Sequence, residues 1–61
     1  MREVPAAIAA KIPAAASVFA EHGFDDAKID DVARSIGVPR ATLYYYFSGK
    51  EDILAFLLRT L

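Results

Sequence analysis

Apolar residues recur at helical intervals in four stretches of this chain. In the first, Ile8, Ile12, Ala15 and Phe19 stand four, three and four residues apart. That spacing predicts one apolar face of a helix from about Pro5 to His22. Gly23 then occupies a position suited to a left-handed residue closing a helix, and Phe24 is placed to fold back on the last turn. Pro13 interrupts the stretch. It lacks an N–H and clashes with the preceding turn, at a cost of about 3 kcal/mol in a helix interior. Two readings stand: a helix kinked at Pro13, or a helix that begins near Pro13 with proline in its first turn.

The second stretch, Lys28 to Ile36, repeats Ile29, Val32, Ala33 and Ile36 on one face. Asp30 and Asp31 fall in its first turn, where carboxylates oppose the positive end of the helix dipole. Gly37 ends it. The third, Pro39 to Phe47, spans only two turns, with Pro39 suited to its first position and Leu43 and Phe47 predicted to face inward. The fourth starts after Ser48-Gly49-Lys50 and carries Ile53, Leu54, Leu57, Leu58 and Leu61, a stripe assigned to the core. No stretch alternates with period two, so the predicted class is all-α.

Composition narrows the functional classes. Sixty-one residues make one small domain, and a chain of this size buries only about 60% of the surface its unfolded form exposes. There is no cysteine and a single histidine, so disulfides and thiolate metal sites are excluded, and the one histidine cannot build a zinc site by itself. No segment is long and apolar enough for a signal peptide or membrane span, and the expected compartment is the cytoplasm. Nothing places a nucleophile beside a base, forms a phosphate-cradling glycine loop or clusters metal ligands. No enzyme activity, cofactor or metal is expected. The net charge of −1 argues weakly against a nucleic-acid partner, but its distribution reverses that argument. Residues 1–26 carry −2 and residues 51–61 carry −1, whereas residues 27–50 carry +2.

That positive segment contains two short helices joined by Gly37-Val38-Pro39. A three- to four-residue turn containing glycine between two short helices marks a helix-turn-helix, here about 28–47. Ala33 leaves room for a close helix crossing, and Val38 plugs the corner. The second helix, about 40–46, then presents Arg40, Ala41, Tyr44 and Tyr45 outward, with no acid of its own. Arginine can address guanine O6 and N7 in the major groove, while tyrosine and threonine hydroxyls and lysine hold phosphates. The candidate DNA-binding residues are Lys28, Arg40, Ala41, Thr42, Tyr44, Tyr45, Tyr46 and Lys50. Each has a plainer reading. The tyrosines could pack, though three in succession cannot all face one core. Thr42 could bond its own helix, and Arg40 and Lys28 could be solvated charges. A cation at Lys50 opposes the dipole of the helix it opens, which favours a functional reason for it. His22 is assigned to the helix C-terminus. The competing reading of the whole chain is a small helical protein-interaction module docking through its Leu-rich C-terminal helix.

The residues Phe19-Ala20-Glu21-His22-Gly23-Phe24, Ile29-Asp30-Asp31-Val32-Ala33, Gly37-Val38-Pro39-Arg40-Ala41-Thr42-Leu43-Tyr44-Tyr45-Tyr46-Phe47 and Lys50-Glu51 resemble the N-terminal domain of TetR-family transcriptional regulators. The resemblance covers about Lys11 to Leu58. It implies a homeodomain-like three-helix helix-turn-helix domain plus the start of a fourth helix, over residues 5–61. It further implies an operator-binding homodimer, in most cases a repressor, released when a small effector binds a C-terminal ligand-binding and dimerisation domain absent from this chain. The sequence departs from the family pattern where Ala27-Lys28 replaces a capping Thr or Ser. A cap would then have to come from Asp25 or Asp26. Pro39, Ala41 and Tyr46 stand where Ser, Gly and His are frequent, and Lys11 where an apolar residue is usual.

Overall fold

The structure is a computed structural model and describes residues 3–59. Its helices are α1 (Ala6–Ala9), α2 (Ala15–His22), α3 (Ile29–Ile36), α4 (Arg40–Tyr46) and α5 (Lys50–Arg59), with a 3-10 turn at Ile12–Ala14 before α2. The described residues contain no strand, and the fold is all-α, as the periodicity predicts.

Proline chemistry decides how the first stretch is divided. Around Pro13 the hydrogen bonds tighten to three-residue spacing, from Lys11 N–H to the Ile8 carbonyl at 2.9 Å and from Ala14 N–H to the Lys11 carbonyl at 3.2 Å. The chain therefore forms a separate single turn, α1, and starts α2 just after Pro13, close to the second of the two readings. The break leaves Lys11 exposed and turns Ile12 and Ala15 fully into the core. There the 3-10 turn packs on both α3 and α5.

Gly23 closes α2 with φ +80°. Its N–H reaches the Phe19 carbonyl at 2.9 Å, and the Phe24 ring folds back edge-on to Phe19 at 5.1 Å between centroids. Gly37 closes α3 in the left-handed region, φ 74° and ψ 31°. The Ala33 carbonyl then accepts both Gly37 N–H at 2.9 Å and Val38 N–H at 3.1 Å. Val38 packs half-buried against the core.

Two helix starts differ from expectation. The cap of α3 comes from neither Asp25 nor Asp26: Asp31 reaches back to accept the Lys28 N–H at 3.1 Å. This is the reciprocal half of a capping box, because a lysine side chain has no acceptor for the other half. Pro39 lies one residue before α4, extended at φ −62° and ψ 145°. It pre-sets the entry angle without occupying the first helical turn.

Phe47, Ile12, Leu43, Ile53 and Val32 are the largest fully buried side chains. Ile29, Val32, Ala33 and Ile36 of α3 are all buried, as are Leu43 and Phe47. The stripe on α5 is only partly core. Ile53 and Leu57 are buried, and Phe56 meets Phe47 edge-on at 5.8 Å. Leu54 is half-buried and Leu58 is 62% exposed. Leu61 lies outside the described residues. At 100° per residue, Leu54 and Leu58 fall one step round the helix from Ile53 and Leu57. Leu54 still packs at the margin of the core, whereas Leu58 lies past the edge of the face that α2 and the 3-10 turn cover.

Candidate nucleic-acid interface

Seven residues of α4 give ridges with distinct roles. Residues four apart lie above one another on a helix. Leu43 forms the buried ridge, and Phe47, the extended residue just past the helix end, is buried with it. Ala41 and Tyr45 form the ridge nearly opposite, and both are exposed. Arg40 and Tyr44 form a third ridge, exposed on the side toward α3. Thr42 and Tyr46 form the fourth and are half-buried. Tyr46 packs against the core margin, and its ring meets Tyr45 edge-on at 4.9 Å. The core anchor thus sets which α4 residues face outward.

The eight sequence-predicted residues divide into two sets. Lys28, Arg40, Tyr44 and Lys50 line one open bowl with Asp30 and Ser48. The bowl is bounded by the start of α3, the outer flank of α4 and the start of α5. Ala41, Thr42, Tyr45 and Tyr46 line a shallow groove on the other flank. A helix inserted into a groove of DNA would present the Ala41–Tyr45 ridge foremost, with the bowl toward one backbone strand.

The charges around the bowl are organised by pairing. Arg40 Nη1 donates to both carboxylate oxygens of Asp30, at 3.1 and 3.4 Å. The pair is solvent-exposed, with side chains 62% and 51% accessible. An ion pair of this kind contributes about 0.2–1 kcal/mol, so it orients more than it stabilises. Asp31 combines its cap with an ion pair to Arg34 at 2.5 Å. Both α3 carboxylates are therefore committed to arginines. Lys28 is exposed at the rim of the bowl.

Lys50 occupies a position that periodicity does not reveal. Its ammonium donates to the backbone carbonyls of Phe24 at 2.5 Å, Asp25 at 2.8 Å and Ala27 at 2.9 Å. It also stands 4.8 Å from the centre of the Phe24 ring. An ammonium has three donors, and all three are used. In this geometry Lys50 has none left for a phosphate oxygen, and its local effect is to tie α5 to the loop between α2 and α3. Two residues before α5, Ser48 donates its N–H to Asp52 Oδ2 at 2.8 Å, and its hydroxyl donates to the same oxygen. These bonds hold the Asp52 carboxyl below its ordinary value, the hydroxyl bond contributing most.

Asp30 and the carbonyls of the α2–α3 loop are parts of the site that sequence reasoning missed. A signal for Asp30 existed: opposite charges open two helices joined by a short turn. No signal existed for the carbonyls, whose direction depends on the loop path. Among the described residues no three acidic or histidine side chains converge as a metal site would need, and no helix is long and apolar enough to cross a membrane.

Comparison with known proteins adds an independent finding. Residues 12–57 match the family described as bacterial regulatory proteins, tetR family. Over 39 residues the chain is 46% identical to a putative mycofactocin biosynthesis transcriptional regulator, MftR, of Mycobacterium tuberculosis, covering 64% of this chain and 20% of that protein. It is 38% identical over 39 residues to IcaR, the negative transcriptional regulator of the biofilm operon in Staphylococcus epidermidis, covering 64% of this chain and 21% of that protein. The IcaR of Staphylococcus aureus strain Newman is 41% identical over the same length and shares. The matched region thus spans about a fifth of the length of these relatives. No solved structure matches the chain. The family match takes in α2 to α4 and most of α5, including the turn at Gly37 and the whole outward face of α4, and on that match the chain belongs to the TetR family of bacterial regulatory proteins.

Proposed function

We propose that this chain is the DNA-reading part of a transcriptional regulator, docking α4 in the major groove of an operator. The observation that carries the reading is the outward face of α4. Arg40, Ala41, Tyr44 and Tyr45 are all exposed there, on a helix pinned by the fully buried Leu43 and the nearly fully buried Phe47. Helix-turn-helix proteins meet base edges with the first turn of the second helix, which here is Arg40 and Ala41. Arg40 supplies donors for guanine. Tyr45 lies on the same ridge as Ala41, one turn along. Lys28 and the Tyr44 hydroxyl contact phosphate on the bowl side, and Thr42 and Tyr46 do so on the other flank. Lys50 acts by positioning, since the start of α5 faces the same backbone strand while its ammonium holds the α2–α3 loop.

The relatives are regulators of transcription by name, one of them a negative regulator, which supports repression as the outcome. A homodimer spanning two half-sites, with release by a small effector bound in a C-terminal domain and residence in the cytoplasm, completes the proposal. Chemical-shift mapping of the chain with duplex DNA tests it. Perturbations concentrated on α4, on Lys28 and around the bowl support the reading. Perturbations confined to α5, or binding that does not weaken as salt rises, overturn it.

A further inference from the structure

The Arg40–Asp30 pair has a geometry that bears on sequence discrimination. A guanidinium offers two kinds of paired-donor edge. One of them, formed by Nε and Nη2, lies on the side away from Nη1. Asp30 engages Nη1 alone, with both carboxylate oxygens. The Nε/Nη2 edge takes no part in these bonds, the side chain is 62% accessible, and guanine O6 and N7 accept two parallel donors of this kind.

The pair also bridges two helices. Asp30 lies in the first turn of α3 and Arg40 in the first turn of α4. Gly37 and the buried Ala33 hold the two helices close. The carboxylate therefore comes from a neighbouring rigid element and not from α4, so it fixes the direction of a side chain that otherwise samples many rotamers. It also places a negative charge on the bowl beside Lys28. That charge opposes capture of the same guanidinium by a phosphate. A carboxylate serving only the dipole of α3 would act equally well turned away from Arg40.

We propose that Asp30 is a specificity-determining residue of the DNA interface. It aims the Nε/Nη2 edge of Arg40 at a guanine in the major groove and withholds the guanidinium from the phosphate backbone. This inference rests on the function proposed above.

The test uses the chain as wild type, Asp30→Asn, Asp30→Glu, Arg40→Ala and the Asp30→Asn/Arg40→Ala double variant, each checked for an intact helical melt. A duplex pool with a randomised centre is selected with each protein. Salt titrations follow on one enriched and one scrambled duplex. Asp30→Asn is expected to lose roughly five-fold or more in discrimination for guanine at one position. It should also bind the scrambled duplex more tightly, with a salt slope steeper by about 0.9, as Arg40 turns to a phosphate. Asp30→Glu keeps the charge but moves the carboxylate outward, and should lose discrimination without steepening the slope. The double variant should match Arg40→Ala alone. Unchanged guanine discrimination in Asp30→Asn, beside a wild type that discriminates, overturns this inference alone. An equal loss on adding Asp30→Asn to Arg40→Ala also overturns it. A wild-type chain that retained no duplex would overturn the proposed function, and this inference with it.

Discussion

The ammonium of Lys50 meets the carbonyl of Ala27 at 2.9 Å across 23 positions of sequence. Ala27 is itself buried, 1% exposed, immediately before α3. The contact therefore joins the first residue of α5 to the lead-in of the helix-turn-helix. With the Phe24 and Asp25 carbonyls it gathers an irregular loop around one cation.

Lys50→Ala leaves those carbonyls without their charged donor. Hydrogen bonds to charged groups contribute about 1.5–3 kcal/mol each when not replaced by water. Two of the three bonds here are partly buried, so a loss of about 1–3 kcal/mol is expected overall. Lys50→Arg should not restore it, because a planar fork cannot address three converging carbonyls as a compact ammonium does. Thermal melts of both variants measure this. A salt titration on DNA completes the test: a slope reduced by about one for Lys50→Ala, with an unchanged melt, would return Lys50 to phosphate contact.

Leu43→Ala and Phe47→Ala remove the ridge that orients α4. Large-to-small changes at buried sites cost about 2–5 kcal/mol, and small domains hold little stability in reserve. Both variants should unfold or melt far below the wild type, as followed by circular dichroism. Tyr45→Ala, on the opposite ridge, should leave the melt nearly unchanged.

Gly37→Ala isolates backbone strain from crowding. A Cβ there meets nothing within 4 Å, but φ is +74°. The expected loss is about 1–2 kcal/mol, the cost of left-handed backbone for a residue with a side chain. Urea unfolding at constant m-value measures it. A neutral result would mean that the turn relaxes to another conformation.

Lys28→Ala and Arg40→Ala should separate backbone contact from base contact. Lys28→Ala should weaken binding to every duplex alike and reduce the salt slope by about 0.9. Arg40→Ala should lower binding to a preferred duplex by about 1–3 kcal/mol more than binding to a scrambled one. Parallel salt titrations on the two duplexes read both effects. Equal weakening by Arg40→Ala would assign that residue to phosphate.

Asp52 gives a pH prediction with a definite sign. The Ser48 hydroxyl and N–H favour its ionised form and lower its pKa from the ordinary 3.8. The carboxylate's contribution is therefore complete above that value and is lost as the pH falls through the lowered one. A carboxyl NMR titration should show a midpoint below that of a free aspartate. Ser48→Ala should raise it. A midpoint indifferent to that substitution would rule out the Ser48 hydroxyl as the cause.

Helix existence was legible because burial imposes period. Ile29, Val32, Ala33 and Ile36 announce the inner face of α3, and Leu43 with Phe47 that of α4, since only one face of a short helix can be removed from water. Gly37 and Gly23 were legible for a local reason, the cost of positive φ to any other residue. From Leu43 and Phe47 alone, geometry already turned Arg40, Ala41, Tyr44 and Tyr45 outward. What tertiary structure decided depends on where separate segments meet. Pro13 forbids a continuous helix, but the burial of Ile12 against α3 and α5 settles where the new one begins. The α5 stripe reads as core, yet among its described residues Ile53 and Leu57 are buried, Leu54 is covered only in part and Leu58 stays outside, because this fold covers one face of the helix. Lys50 looked like a phosphate ligand from its place at a helix start. Its carbonyl partners lie 23 to 26 residues back, and no local pattern records the direction in which a loop points its backbone oxygens. Asp30 and Arg40 lie between these cases: their charges were plain in the sequence, and the α3–α4 crossing alone brought them to 3.1 Å.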